Sequence, residues 1–285
     1  MIFWIRGLCT RYRLWLMLLA LVATPTQADT FKLAVVPQNT PEATHRDWAP
    51  FARRLGKETG HTIQLRVYRT FDEFETDFLN GVPELIYLNP YHQLSAYKAQ
   101  KYLPLVRDGS QLLAGVLVVP QDSPIKSVRE LNGKELGFPD PNAFAASLYM
   151  RALLTEKLGI RFIPHFYSSH GNVYRHVIVG DVAAGGGVNN TLARERPETR
   201  AALRVLYQTP GAAPHPLSAH PRVAPAVREA LVSAILRLGR QEDGRTMLEG
   251  IQIPKPVRAD YQRDYVPLEK LRLHRYTVIT DLPRQ

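Results

Sequence analysis

The residues best placed for chemistry lie in the stretch DPNAFAASLYMRALLTEKL, residues 140–158. A short apolar run ends at Pro139, the Asp-Pro-Asn that follows is turn chemistry, and Gly159 suits the position just past a helix end. Phe144, Leu148 and Ala152 share one face at helical spacing, so a helix is predicted up to Leu158 with Asn142 as its N-cap. Its first turn, Ala143, Phe144, Ala145 and Ala146, is small or apolar apart from one ring, and Ser147 is the first hydroxyl. Small residues let a ligand approach the unpaired N–H groups of a first turn, where the helix dipole also favours an anion. The same residues also suit an ordinary strand-to-helix connection, so their surroundings have to decide.

His170 is the second candidate. It follows Tyr167-Ser168-Ser169 on a loop between a predicted strand (161–167) and a predicted helix (172–179). An imidazole there can donate to an oxyanion, or simply bond the loop backbone. Phe71 and Tyr91 stand at strand-to-helix turns and are candidates for lining a cleft, whereas Trp48 sits at core spacing. Gly185, Gly186 and Gly187 form neither a phosphate loop nor a dinucleotide fingerprint, and imply close backbone approach, to a ligand or to a neighbouring lobe. No G-x-S-x-G elbow occurs, and Ser147 lies inside a predicted helix. The nine histidines include no HExxH, and His165, His170 and His176 lack the spacing of a helical ligand pair, so neither a metal nor a cofactor is expected. An enzyme would need an acid and a base in the cleft. Asp140, Glu84 and His170 are the titratable candidates, and no motif links them.

The elements that would position these residues alternate. Strand-like runs at 31–36, 62–68 and 85–88 are each followed by a helical pattern, and the connections 37–39, 70–71 and 89–91 fall at strand carboxyl ends, where α/β sheets bind ligands. The strongest strand, 112–119, is stopped by Pro120. A second series follows, with strands at 135–138, 161–167, 182–188 and 203–207, then a Pro/Gly-rich stretch at 209–216 and a regular helix at 223–238. The pattern reads as one lobe, 29–119 and 209–285, interrupted by another, 120–208, with the two crossings as a hinge.

At 285 residues, 45% hydrophobic and 22% charged, the chain is an ordinary globular one with room for a sizeable core. Arg6, Arg11 and Arg13 precede an apolar run at 14–23 and the small residues Thr26-Gln27-Ala28, which is the order of a secretory signal peptide, predicted here as residues 1–28. Cleavage removes three arginines and no acid, lowering the formal charge from +10 to +7, and also removes Cys9, the only cysteine. The mature chain would depend on its core rather than on disulfides, which suits the periplasm. The basic balance allows an anionic ligand or surface. The charges are scattered, so no nucleic-acid partner is expected.

Several of these pieces together resemble a known family. VVPQ near the mature start, YLNPYHQLSAY, AGVLVV, DSPIKSVRELNGKELGFPDPNAFAAS and SSHGNVYRHVIVGDVAAGGGVNNTL are similar to periplasmic solute-binding proteins of the phosphate/phosphite/phosphonate ABC-transporter type. The resemblance covers about residues 31–238. It implies the type 2 periplasmic binding protein fold, two α/β lobes clamping a ligand, and no catalysis. It also implies a monomeric protein that delivers a small, phosphorus-containing oxyanion to an ABC permease. A sensor kinase or chemoreceptor using the same fold as its input module is the alternative partner, and a pure protein-contact role without ligand a further one. By the resemblance His170 matches a histidine that contacts the ligand, and Phe71 stands where a tyrosine is frequent. Residues 143–146 replace a Ser/Thr-rich loop, leaving backbone donors and Ser147. Asn189 falls near an acidic position that holds the amino group of aminophosphonates, a charge that an amide does not supply.

Overall fold

The computed structural model describes residues 28–278; residues 1–27, nearly all of the predicted signal segment, lie outside the described residues. β1 (Thr30–Val35) leads into α1 (Pro41–Thr59), β2 (Thr62–Arg66) into α2 (Phe71–Leu79), and β3 (Leu85–Tyr87) into α3 (Pro90–Gln100). The helix starts are set locally. Thr40, Thr70 and Asn89 each accept a first-turn N–H through the side chain, from Ala43, Glu73 and His92. Pro41 and Pro90 take early positions where a missing N–H costs nothing.

β4 (Leu103–Asp108) closes this series. The second comprises β5 (Gly115–Pro120), β6 (Glu135–Phe138), helix α4 (residues 144–157), β7 (Ile163–Phe166), α5 (His170–Val179) and β8 (Ala184–Val188). Two single turns, α6 (Asn189–Ala193) and α7 (Pro197–Ala201), lead to β9 (Leu203–Gln208). The chain then returns through β10 (Pro216–Ala219), α8 (Pro225–Leu238), α9 (Glu242–Gly250) and β11 (Pro256–Arg258). Six strands form one sheet in the order β11-β4-β10-β3-β1-β2, and five form the other in the order β7-β6-β8-β5-β9. β1 is parallel to β2 and β3, and β6 to β7 and β8. The strands reached by the two crossings, β5 and β10, run antiparallel to their neighbours.

The first crossing lies between Asp108 and Gly115, not at residue 119 as the sequence predicts, because residues 115–120 pair with β8 and β9 in the second sheet. Pro104 hides β4 from a sequence reading, since a proline argues against an interior strand. It is accommodated where the β4–β10 register shifts, between Leu217 and Ser218, the latter opposite Pro104. The two crossings touch through a pair of 2.9 Å backbone hydrogen bonds exchanged by Leu113 and Ala212. Beyond the predicted helix at 223–238, α9, β11 and the helical turns to Arg275 complete the first lobe, with Tyr261 stacked on Tyr97 and the buried Tyr265 donating to Pro214 O.

Leu33, Phe51, Leu55, Phe74, Phe78 and Ile86 fill the first lobe. In the second, β5 is buried on both faces: Leu117 and Val119 meet Phe138, Met150 and Leu154, while Val116 and Val118 meet Val173, Tyr174 and Val177. That is why its sequence is a continuous apolar run. Phe144, at the start of α4, packs into the first lobe's core, so the lobes are closed on each other.

The start of α4 departs from expectation. Its first helical residue is Phe144, Ala143 occupies the cap position with no capping side chain, and the N–H groups of Ser147 and Leu148 both reach Ala143 O at 3.0 Å. The wide i→i+5 turns recur at residues 153–157. The glycines explain how this turn fits. A Cβ on Gly115 would lie 2.0 Å from Ala145 O, and one on Gly186 2.1 Å from Ala146 O. Gly185 and Gly187 face Val173 and Tyr174 in the same way. The triple glycine therefore serves packing within its own lobe rather than approach to the other lobe. Gly115→Ala should destabilise the protein by about 1–3 kcal/mol through overpacking. Gly250→Ala, where a Cβ meets nothing within 4 Å, should be neutral or slightly stabilising. Urea unfolding of the two variants checks this.

Candidate functional site

The carboxyl ends of β1, β3 and β6 and the start of α5 converge between the lobes on a tight cavity of about 10 Å3, room for about one water. The first lobe contributes Val36, Gln38, Phe71 and Asn89; the second contributes Ala143, Phe144, Ala145, Ala146, His170 and Val188; Leu113 and His215 come from the crossings. No Lys, Arg, Asp or Glu is among these lining residues. The amides of Phe144, Ala145 and Ala146 donate to no acceptor among the described residues, as expected of a first turn without a capping side chain.

His170 is positioned by a tight turn in which Ser168 takes a left-handed φ of 65° and Ser169 caps α5 through Asn172 N. Its ring is 2% exposed, and Nδ1 lies 3.0 Å from Thr191 Oγ1. His215 stacks on Tyr87, and its Nε2 is 3.1 Å from Gln38 Nε2. Burial lowers the two imidazoles to about 4 for His170 and about 3 for His215, where His170 and His92 lower it further. Both are neutral near neutral pH. The site thus offers dipoles and neutral donors, without a charged side chain.

Of the residues the sequence singles out, the structure brings together Phe71, Ala143, Phe144, Ala145, Ala146 and His170. It does not bring the others there. Asn142 is not the N-cap; its Nδ2 donates to Glu75 Oε2 and Val278 O, both at 3.0 Å, and its carbonyl accepts from Asn89 Nδ2 at 3.3 Å. Ser147 is buried, accepting from Arg151 Nε at 3.0 Å and donating to Pro141 O. Tyr91 lies on a separate groove with Ser95 and Lys98. Asn189 ties the hinge, accepting from Ala114 N and donating to Leu112 O, and borders a larger groove of about 220 Å3 with Asp108, Arg194 and Gln252.

Gln38, Asn89 and His215 are the polar residues the sequence reading missed. The turns at 37–39 and 89–91 pointed to the first two as segments. His215, between two prolines, read only as loop. Among the described residues no cluster of three His, Cys, Asp or Glu side chains could hold a metal ion.

Residues 33–265 match the family model described as the periplasmic substrate-binding protein of phosphonate ABC transporters. Among solved structures, a binding-protein component of an ABC phosphonate transporter from Pseudomonas aeruginosa superposes with a TM-score of 0.77 at 15% identity, covering 87% of this chain and 86% of that one. A Prochlorococcus marinus protein in complex with methylphosphonate gives 0.76 at 17% identity, over 85% and 96%. An ancestral arginine-binding protein bound to arginine gives 0.54 at 14%, over 77% and 96%. At these identities the likeness is one of fold, the two-sheet α/β architecture of periplasmic binding proteins.

The closed lobes are latched where Asn142 meets Glu75, and Asp140 sits beside that contact. Its carboxyl is pushed up from 3.8 to about 7 by burial, with Glu75 and Asp72 of the opposite lobe raising it, against the Asn142 N–H bond and His92. The closed form therefore keeps a proton that a solvated Asp140 releases. Raising the pH from 3.8 to about 7 accordingly weakens closure. Small-angle scattering of the unliganded protein should show a radius of gyration that grows as the pH rises from 3.8 to about 7, with Asp140→Asn abolishing the change. A flat wild-type profile would count against the latch.

Proposed function

The chain belongs to the periplasmic substrate-binding family of phosphonate ABC transporters, and on that premise we propose that it encloses one small phosphorus oxyanion between its lobes and delivers it to a membrane permease. The observation that carries this reading is the set of three unpaired amides at the start of α4, aimed with two neutral imidazoles at a cavity free of charged side chains. Binding across the cleft stabilises the closed form over the open one, and closure is what a membrane partner can read. Export by the signal segment at residues 1–28 fits this role. Among the described residues no helix is long and apolar enough to cross a membrane.

The lining supports binding rather than turnover. It holds no carboxylate to pair with either imidazole as acid and base, and both rings are held neutral by burial. It also supports a short ligand. Phe144 occupies the cleft where it stacks near Tyr149, and no acidic side chain lines the cavity to pair with an amino group.

A thermal-shift screen against phosphate, phosphite, methylphosphonate, aminoethylphosphonate and sulfate tests the reading. A ligand at about 100 times its dissociation constant adds roughly 2.7 kcal/mol of stability. Methylphosphonate or a smaller phosphorus oxyanion should give that shift, aminoethylphosphonate should give less, and His170→Ala should remove it. A panel without any shift would contradict the proposed ligand class.

A further inference from the structure

Thr191 decides which nitrogen of His170 carries the proton. Its hydroxyl has a single hydrogen and three neighbours: Val188 O at 3.0 Å, His170 Nδ1 at 3.0 Å and the Tyr174 hydroxyl at 3.3 Å. A carbonyl only accepts, so the hydrogen points to Val188. The Thr191 oxygen then accepts from the other two, and its two lone pairs are filled. His170 must therefore donate from Nδ1. A neutral imidazole has one N–H, and burial keeps this ring neutral. Its Nε2 is a bare lone pair on a ring that lines the cavity, with no partner among the described residues.

His215 presents the opposite polarity. The Gln38 amide nitrogen donates to its Nε2, while the Gln38 carbonyl oxygen faces the amide of Gln252. The proton of this neutral ring is then on Nδ1. That atom is buried without a hydrogen-bond partner among the described residues, in a side chain only 3% exposed that lines the same cavity. The site therefore offers several donors, the Nδ1–H of His215 and the amides of Phe144, Ala145 and Ala146, but one imidazole acceptor.

We propose that the cavity takes its oxyanion in a singly protonated form, the ligand's O–H donating to Nε2 of His170 while its other oxygens accept from the first-turn amides of α4 and from His215. This rests on the ligand class proposed above. A fully ionised dianion would set an oxygen against the His170 lone pair. It would also bring two charges into a lining without a cation. A singly protonated ligand leaves one charge and satisfies both rings.

Two probes of one shape separate the possibilities. At about pH 5.5 methylphosphonate carries one proton and one charge, being below the second ionisation of a phosphoryl group. Methanesulfonate has the same tetrahedral form and charge but no O–H. Calorimetric titration of the protein should find methylphosphonate bound at least about 10-fold more tightly, the cost of leaving a buried acceptor unpaired. Thr191→Val, which removes the acceptor that fixes the tautomer, should bring the ratio towards one. In the wild type, 15N shifts of His170 should report protonation at Nδ1. Equal binding of the two probes, or protonation at Nε2, would overturn the inference while leaving the ligand class standing. Binding of neither probe would overturn both.

Discussion

The site depends on a contact between two backbones. The carbonyl oxygens of Ala145 and Ala146 lie so close to Gly115 and Gly186 that a Cβ on either glycine would force the two backbones apart. Gly115 begins the strand that enters the second lobe, and Gly186 lies on the strand beside it. Seating the first turn of α4 on these two strands fixes where its unpaired amides point. Side-chain caps are absent there. A hydroxyl or amide cap would have satisfied the same N–H groups and closed the site to a ligand. Ala143, with no polar side chain, leaves them open.

Closure supplies the rest of the cavity, whose lining carries no charged side chain. Phe144 crosses into the core of the opposite lobe, and Asn142 joins Asn89, Glu75 and Val278 across the cleft. Among the described residues the carboxyl raised furthest, Asp140, stands at this latch rather than in the cavity. Charge is thus kept out of the binding space and placed where it bears on opening. An uncharged, largely apolar lining makes each hydrogen bond to an enclosed anion count for more than it would in water. It also penalises any donor or acceptor left without a partner.

Much of this was legible in the sequence, for identifiable reasons. Alternating strand and helix patterns, glycine and proline punctuation and one two-faced apolar strand are local signals, and they marked the two-lobed order of elements. The Ala-Phe-Ala-Ala turn and His170 stood out because small residues and a loop imidazole are unusual together at strand ends. β4 was hidden by Pro104, which only a register shift accommodates, and this displaced the first lobe boundary. Asn142 read as the cap of the anion-binding turn, and Asn189 entered as a ligand residue only through the family resemblance. Which partner each amide takes depends on what the fold brings near, here Glu75 for one and the crossing backbone for the other. His215 could not be found at all. Its importance comes from Gln38 and Tyr87, more than a hundred residues away in the chain.

The most direct test of the account is an amide-resolved NMR titration of the isotope-labelled protein with methylphosphonate. The account predicts that the backbone N–H signals of Phe144, Ala145 and Ala146 move first and furthest, together with the ring signals of His170 and His215. Shifts concentrated instead around Asn189, Arg194 and Gln252, in the groove behind the hinge, would contradict it.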